Sequence, residues 1–199
     1  MSVDPASLDW DKQGGLLPAI VQDAATLRVL MLGYMDRGAL EATLAEGRVS
    51  FFSRSRGTRW RKGDTSGHWL ELVDVHADCD RDTLLVMARA HGPTCHLDRC
   101  SCFGDVPGDA LAELDAVVAE RALAPRGRYT DRLLASPVKV VAQKVGEEGV
   151  EVALAAVSEG DDALLGESAD LLYHLVVLLR RRGLSIAKAA MVLRSRANN

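Results

Sequence analysis

The apolar positions of the chain keep one rhythm up to about residue 103 and another beyond it. In the first stretch they gather in short β-rich runs, "VSFFSR", "LELVDVHAD" and "TLLVMARA", which predict strands, while "MDRGALEATLAEG" ahead of them predicts a helix. The cluster "GDVPGD" at 104–109 then interrupts the pattern with Gly, Pro and Asp. After it Ala and Leu dominate and strand signals vanish. Helical spacing there predicts helices over about 108–123, 128–135, 138–158, 161–182 and 185–196. The fourth ends in "RRRG", cations at the negative end of the helix dipole followed by a terminating glycine. The change of rhythm predicts two domains, an α+β, β-rich domain over 1–106 and an all-α helical bundle over 107–199. There is no internal repeat and no low-complexity segment.

Composition narrows the function. With 199 residues, 48% of them apolar, the chain can bury a core in each half. A formal net charge of −4 argues against a general nucleic-acid binder, although local basic spots can still hold phosphate. No apolar run reaches the roughly 18–20 residues of a membrane span. The opening "MSVDPASLDWDKQ" lacks the basic and apolar regions of a secretion signal, so a cytoplasmic location is expected. Disulfides are rare in that compartment, and Cys79, Cys95, Cys100 and Cys102 read as metal ligands.

Taking "ADCDRD" as an extended segment leading into "TLLVMARA", alternation sends Asp78, Asp80 and Asp82 to one face and Cys79 to the other. Three converging carboxylates repel unless a cation neutralises them, and oxygen donors suit Mg2+. The thiolate on the opposite face suits zinc. Cys95 and Cys102 in "CHLDRCSC" offer two further sulfurs from a loop, with Cys100 as a competitor that spacing does not exclude. Three protein ligands leave a fourth position on zinc for water. Upstream, "SRSRGTRWRKGDTSGHW" mixes cations, hydroxyls and glycines in a way suited to phosphate. It supplies Arg54, Arg56, Trp60, Lys62, Thr65 and Ser66 as candidate substrate-binding residues.

In this order, "GYMDRGAL", "SRSRGTRWRKGDTSGHW", "DCDRD" and "GPTCHLDRCSCF" resemble the phosphoribosyl-AMP cyclohydrolase family of histidine biosynthesis, over about residues 10–103. The resemblance implies a zinc enzyme that hydrolyses the N1–C6 bond of the adenine ring and opens it to a formimino-carboxamide. It implies magnesium on Asp78, Asp80 and Asp82. It also implies zinc on Cys79, Cys95 and Cys102, with Cys79 of one subunit meeting the other two of its partner, so that the domain is dimeric and Cys100 is not a ligand. The chain departs from the family's usual "GPACHTGxxSCF" at Thr94, Leu97 and Asp98 and carries Asp64 where Glu is usual, without losing a ligand. A proton must reach the departing N1; His96 is the first candidate to deliver it and His68 the second.

In the second domain, Lys144, Glu147, Glu148 and Glu151 fall at i, i+3, i+4 and i+7 on one helix face, and Glu167, Asp170 and His174 at i, i+3 and i+7 on the next. The second set sits in "LLGESADLLYHLVVLL", apolar nearly all round, which predicts a buried helix whose carboxylates need a divalent cation. "EEGVE" followed by "ESAD" resembles the signature of the MazG-like all-α nucleoside triphosphate pyrophosphatases. "YTDRLLA", "QKVGEEGVEVALAA" and "ESADLLYHLVVLL" narrow the resemblance to the phosphoribosyl-ATP pyrophosphohydrolase family, over about residues 108–196. That implies cleavage of the α–β bond of phosphoribosyl-ATP, with Mg2+ on Glu147, Glu148, Glu151, Glu167 and Asp170 and Glu148 also catalytic. Lys144, Lys139 and Arg128 are candidate phosphate partners, while Arg180, Arg181 and Arg182 are expected to serve the helix terminus and solubility.

The product of the second domain's reaction is the first domain's substrate. The expectation is therefore a bifunctional hydrolase of histidine biosynthesis that acts on small phosphoribosyl nucleotides, uses Zn2+ and Mg2+, and works as a homodimer sharing its zinc ligands. Its rival is a general nucleotide-pool pyrophosphatase whose N-terminal zinc module is degenerate.

Overall fold

The computed structural model describes residues 3–197 and separates into two units, Met1–Asp109 and Ala110–Asn199. The division falls three residues past the expected one, because the amide of Asp109 donates to the carbonyl of Thr26 (2.6 Å) and ties that segment to the first unit.

In the first unit, "LPAIVQD" forms β1 (Leu17–Asp23), and "VLMLGYM" forms β2 (Val29–Met35) antiparallel to it. Neither strand was expected. Pro18 argues against a strand interior, but it precedes Ala19, the first residue of β1 to pair with β6, and so removes no donor from that ladder. Helix α1 (Arg37–Glu46) follows, its first turn capped by Asp36, whose carboxylate accepts from the Ala39 amide at 2.7 Å. Strands β3 (Ser50–Ser53) and β4 (Thr58–Arg61) make a hairpin. Thr58–Arg61, inside the stretch expected to bind phosphate, is thus a strand. Strands β5 (Trp69–Ala77) and β6 (Leu84–His91) complete a mixed sheet of order β2-β1-β6-β5, in which only β1 and β6 run parallel.

Alternation buries Leu17, Ala19 and Val21 of β1 and Leu84, Val86 and Ala88 of β6 against Phe51, Leu40 and Met35. In β5 the phase changes from Leu70 to Val75 through a bulge between Leu72 and Asp74, which leaves Val73 exposed. Phe51 packs on bare backbone at Gly33, where a Cβ would lie 2.4 Å from the ring.

The second unit contains α2 (Ala110–Leu123), α3 (Tyr129–Ala135), α4 (Val138–Ser158), α5 (Asp161–Arg181) and α6 (Ile186–Ala197), each within two residues of its expected bounds. Its core is small: Val118, Leu133, Val141, Val176 and Val177. The apolar sequence of α5 predicts a helix buried all round, which it is not. Its N-terminal half lies open, with Leu165 67% exposed, and on α4 Val150, Leu154 and Val157 are exposed as well. The two long helices α4 and α5 carry more apolar surface than the three shorter ones cover within one chain. No described helix is long and apolar enough to cross a membrane.

Candidate active sites

The loop after β6 builds the first site. The Cys95 amide donates to the Arg99 carbonyl (3.0 Å), closing a tight turn, and the Cys102 amide donates to the Leu30 carbonyl (2.8 Å). The Ser101 hydroxyl donates to the Val29 carbonyl (2.8 Å). These bonds pin the returning chain to β2 and bring the thiols of Cys95 and Cys102 within reach of one another. Both line a cavity of about 450 Å3 with Trp60, Lys62, Thr65, Ser66, His68 and His96. Burial pushes the Cys102 thiol above its usual pKa, with neighbouring Cys95 adding to the rise and Lys62 opposing it. Burial lowers Lys62, partly offset by the two cysteines.

Of the residues expected at this site, Trp60, Lys62, Thr65, Ser66, His68, His96, Cys95 and Cys102 come together. Arg54 and Arg56 do not line the cavity: Arg54 stacks over the Tyr34 ring at 3.8 Å, and the Arg56 side chain turns to the Ser53 hydroxyl. Gly92 could be found only from the fold. It has φ +94, and a Cβ there would lie 2.2 Å from His68 Nδ1, so the imidazole rests on bare backbone. Gly92→Ala is expected to cost about 1–3 kcal/mol of stability from backbone strain alone and to displace His68. A thermal melt of the variant measures the first effect and its ring-opening rate the second.

Cys79 lies elsewhere. It is exposed in the turn joining β5 to β6, at the Ala77–Leu84 end of the pair, whereas Cys95 follows the Trp69–His91 end. The eight residues of β6 separate the two ends by about 23 Å. The turn does gather Asp78, Asp80 and Asp82, whose carboxylates have oxygens within 4.8 Å of one another. The route differs from the expected strand alternation. Residues 78–83 leave the sheet, Arg81 takes φ +61, and Asp78 Oδ1 accepts from the amides of Asp82 (3.0 Å) and Thr83 (3.1 Å). The ammonium of Lys12 bonds to Asp80 and to Asp82 (2.6 Å), and these bonds hold both carboxyls below their usual pKa and Lys12 above its own. No local pattern links Lys12 to residues almost 70 positions away.

The second site lies on the α4–α5 hairpin. Glu148, Glu151 and Glu167 have carboxylate oxygens within 4.8 Å of one another. Glu148 is 7% exposed; burial raises its pKa, with nearby Glu151 and Asp170 adding to the rise and His174 opposing it. His174 is itself buried, with Nδ1 2.9 Å from the Asp170 carbonyl and 3.3 Å from Glu148 Oε1, and Nε2 3.1 Å from the Tyr129 hydroxyl. Glu147 instead pairs with Lys144 (2.7 Å), which lowers its pKa. Tyr129 lay in a quoted motif, but its contact with a residue 45 positions on needed the fold.

The phosphoribosyl-AMP cyclohydrolase family model matches residues 31–104, and that of phosphoribosyl-ATP pyrophosphohydrolase matches residues 111–196. The chain is 61% identical over 195 residues to the histidine biosynthesis bifunctional protein HisIE of Xanthomonas axonopodis pv. citri, covering 97% of this chain and 95% of the relative. It is 62% identical over 190 residues to the protein of the same name from Xylella fastidiosa (strain Temecula1), covering 95% and 92%. The Escherichia coli protein is 50% identical over 192 residues, covering 95% of each chain.

Proposed function

The chain belongs to the family of bifunctional histidine-biosynthesis proteins, and we propose how its two hydrolyses are divided among the groups just described. The helical unit converts phosphoribosyl-ATP to phosphoribosyl-AMP and pyrophosphate. The strand-rich unit opens the adenine ring of phosphoribosyl-AMP: water adds at C6, the N1–C6 bond breaks, and N1 takes up a proton.

Donor chemistry carries the assignment, with sulfur and imidazole meeting in the cavity of the first unit and carboxylates on the hairpin of the second. Cys95 and Cys102 would hold zinc with Cys79. The strand of about 23 Å between them within one chain supports a set completed by a second copy, and so a homodimer. The exposed apolar side chains of α4 and α5 support the same assembly. Asp78, Asp80 and Asp82 would hold magnesium, a reading supported by the Lys12 ammonium that bonds to Asp80 and Asp82. Glu148, Glu151 and Glu167 would hold a second magnesium, with Asp170 beside Glu148 and Glu147 reaching it on release from Lys144. When bound, zinc supplies Lewis acidity at the ring carbon, and magnesium neutralises the triphosphate.

His68, seated on Gly92, and His96 stand in the cavity to move the proton to N1. Lys62, Thr65 and Ser66 offer a cation and hydroxyls to the substrate phosphates. Lys144 lies beside the hairpin carboxylates for the same purpose. The four unbridged cysteines support a cytoplasmic location, where thiols stay reduced. Incubating the protein with phosphoribosyl-ATP, Mg2+ and Zn2+ and identifying products by mass tests the whole reading. Pyrophosphate, phosphoribosyl-AMP and then a species heavier by one water are expected. Faster consumption of ordinary deoxynucleoside triphosphates, with no ring-opened product, would overturn it.

A further inference from the structure

Away from the acid cluster, the helical unit holds a cavity of about 310 Å3 lined by Arg121 of α2, Asp131 of α3, and Arg180 and Arg181 of α5. Two of its guanidinium groups are fixed at one end. Arg180 Nη2 donates to Asp115 Oδ1 at 2.5 Å, and Arg181 Nη2 donates to the Ser136 carbonyl at 3.0 Å. Their remaining donors are left over: Arg180 Nε, Arg181 Nε and Arg121 Nη1 are buried with no hydrogen-bond acceptor among the described residues. One acceptor is left over too. Asp131 uses Oδ2 to accept from the backbone amides of Arg126 (2.7 Å) and Arg128 (2.9 Å), while its Oδ1 is buried without a donor.

Buried polar groups without partners are costly, even where, as here, Asp115 neutralises Arg180 and the Asp131 carboxylate faces the charge of Arg121. An anion bridging the leftover arginine donors removes that cost, and phosphate matches the planar guanidinium groups. The same ligand needs a hydroxyl to satisfy Asp131 Oδ1. A phosphate and a hydroxyl on one small group describe a sugar phosphate.

Helix α5 connects this cavity to the hydrolytic site. Glu167, His174 and Arg181 stand at i, i+7 and i+14, on one face, and the rise to Arg181 is about 21 Å from Glu167 of the acid cluster and about 16 Å from Asp170. Phosphoribosyl-ATP carries a triphosphate at one end and a second ribose phosphate across the adenine ring, a comparable separation. We propose that the cavity receives this second, N1-linked phosphoribosyl group, with the arginines taking its phosphate and Asp131 a ribose hydroxyl. The pocket would then distinguish this substrate from ordinary nucleoside triphosphates. The inference rests on the helical unit being the pyrophosphohydrolase.

The test compares kcat/KM for phosphoribosyl-ATP and for ATP in the full chain with Mg2+, before and after Arg181→Gln and Arg121→Gln. Loss of a charge-assisted bond predicts a fall of about 10- to 100-fold for phosphoribosyl-ATP, mainly in KM, with ATP hydrolysis unchanged. Arg181→Lys keeps the charge but not the fork, and should recover part of the loss. If the glutamine variants do not fold, Arg121→Lys and Arg181→Lys carry the comparison with smaller shifts in the same ratio. An unchanged ratio, or equal losses on both substrates, would overturn the proposal. Inorganic phosphate should compete with phosphoribosyl-ATP and leave ATP turnover alone. If it alters ATP turnover, the cavity serves a free anion and the substrate reading falls. A parent protein with no preference for phosphoribosyl-ATP over ATP would instead sink the pyrophosphohydrolase reading itself.

Discussion

Cys102→Ala is expected to abolish ring opening of phosphoribosyl-AMP while pyrophosphate release from phosphoribosyl-ATP continues at the parent rate. Cys102 and Cys95 are the two thiols that one chain brings together in the cavity, so removing either leaves zinc with a single sulfur there. The loss should exceed the roughly 10- to 100-fold that removal of an outer-shell partner costs a metal site. Pyrophosphate release should persist because its carboxylates belong to the other unit. Cys79→Ala should have the same selective effect although Cys79 lies at the far end of β6. Mixing the two inactive variants then discriminates. In a mixed dimer one site combines Cys79 of one chain with Cys95 and Cys102 of the other and is whole, while its counterpart lacks two ligands. With random pairing about a quarter of the parent activity should return. No recovery after subunits have exchanged would refute a shared ligand set, and loss of both activities in Cys102→Ala would refute independent sites.

How far the chain could be read in advance depended on whether a signal was local. The helices of the second unit were legible because their periodicity and end signals lie within each segment, as in "RRRG" closing α5. Strands β1 and β2 were missed: Pro18 disguises the first, and a short apolar run such as "VLMLGYM" suits helix and strand alike. The candidate ligands were visible as residue types, yet their arrangement was not. Asp78, Asp80 and Asp82 converge through a turn with Arg81 at φ +61, which a strand reading of "ADCDRD" does not produce. Partners distant in sequence had no local trace, among them Lys12 for Asp80, Gly92 for His68 and Tyr129 for His174. Arg180 and Arg181 did fall at a helix end as expected, but the fold also turns them toward Arg121 and Asp131.

Glu148→Gln is expected to reduce pyrophosphate release by about 100- to 1,000-fold, leave ring opening of supplied phosphoribosyl-AMP intact, and raise stability of the metal-free protein. The three effects share one cause. Glu148 is buried on the hairpin against Glu151 and near Asp170, and burial holds its carboxyl above the usual range. A carboxyl with a raised folded pKa penalises the folded state when ionised. The penalty is absent below the unfolded pKa, near 4.3, grows as pH rises toward the folded value, and is constant above it. The amide carries no such penalty. In the presence of a chelator, the melting temperature of Glu148→Gln should therefore match the parent near pH 4 and exceed it near pH 8. Divalent cation works the other way, because in the parent it relieves the repulsion between Glu148, Glu151 and Glu167, which the amide has already weakened along with the site's affinity. Added Mg2+ should raise the parent's melting temperature more than the variant's. Equal Mg2+ responses in the two proteins would remove Glu148 from the metal set, and a variant less stable than the parent at pH 8 with chelator would show that its ionised carboxylate supports the fold.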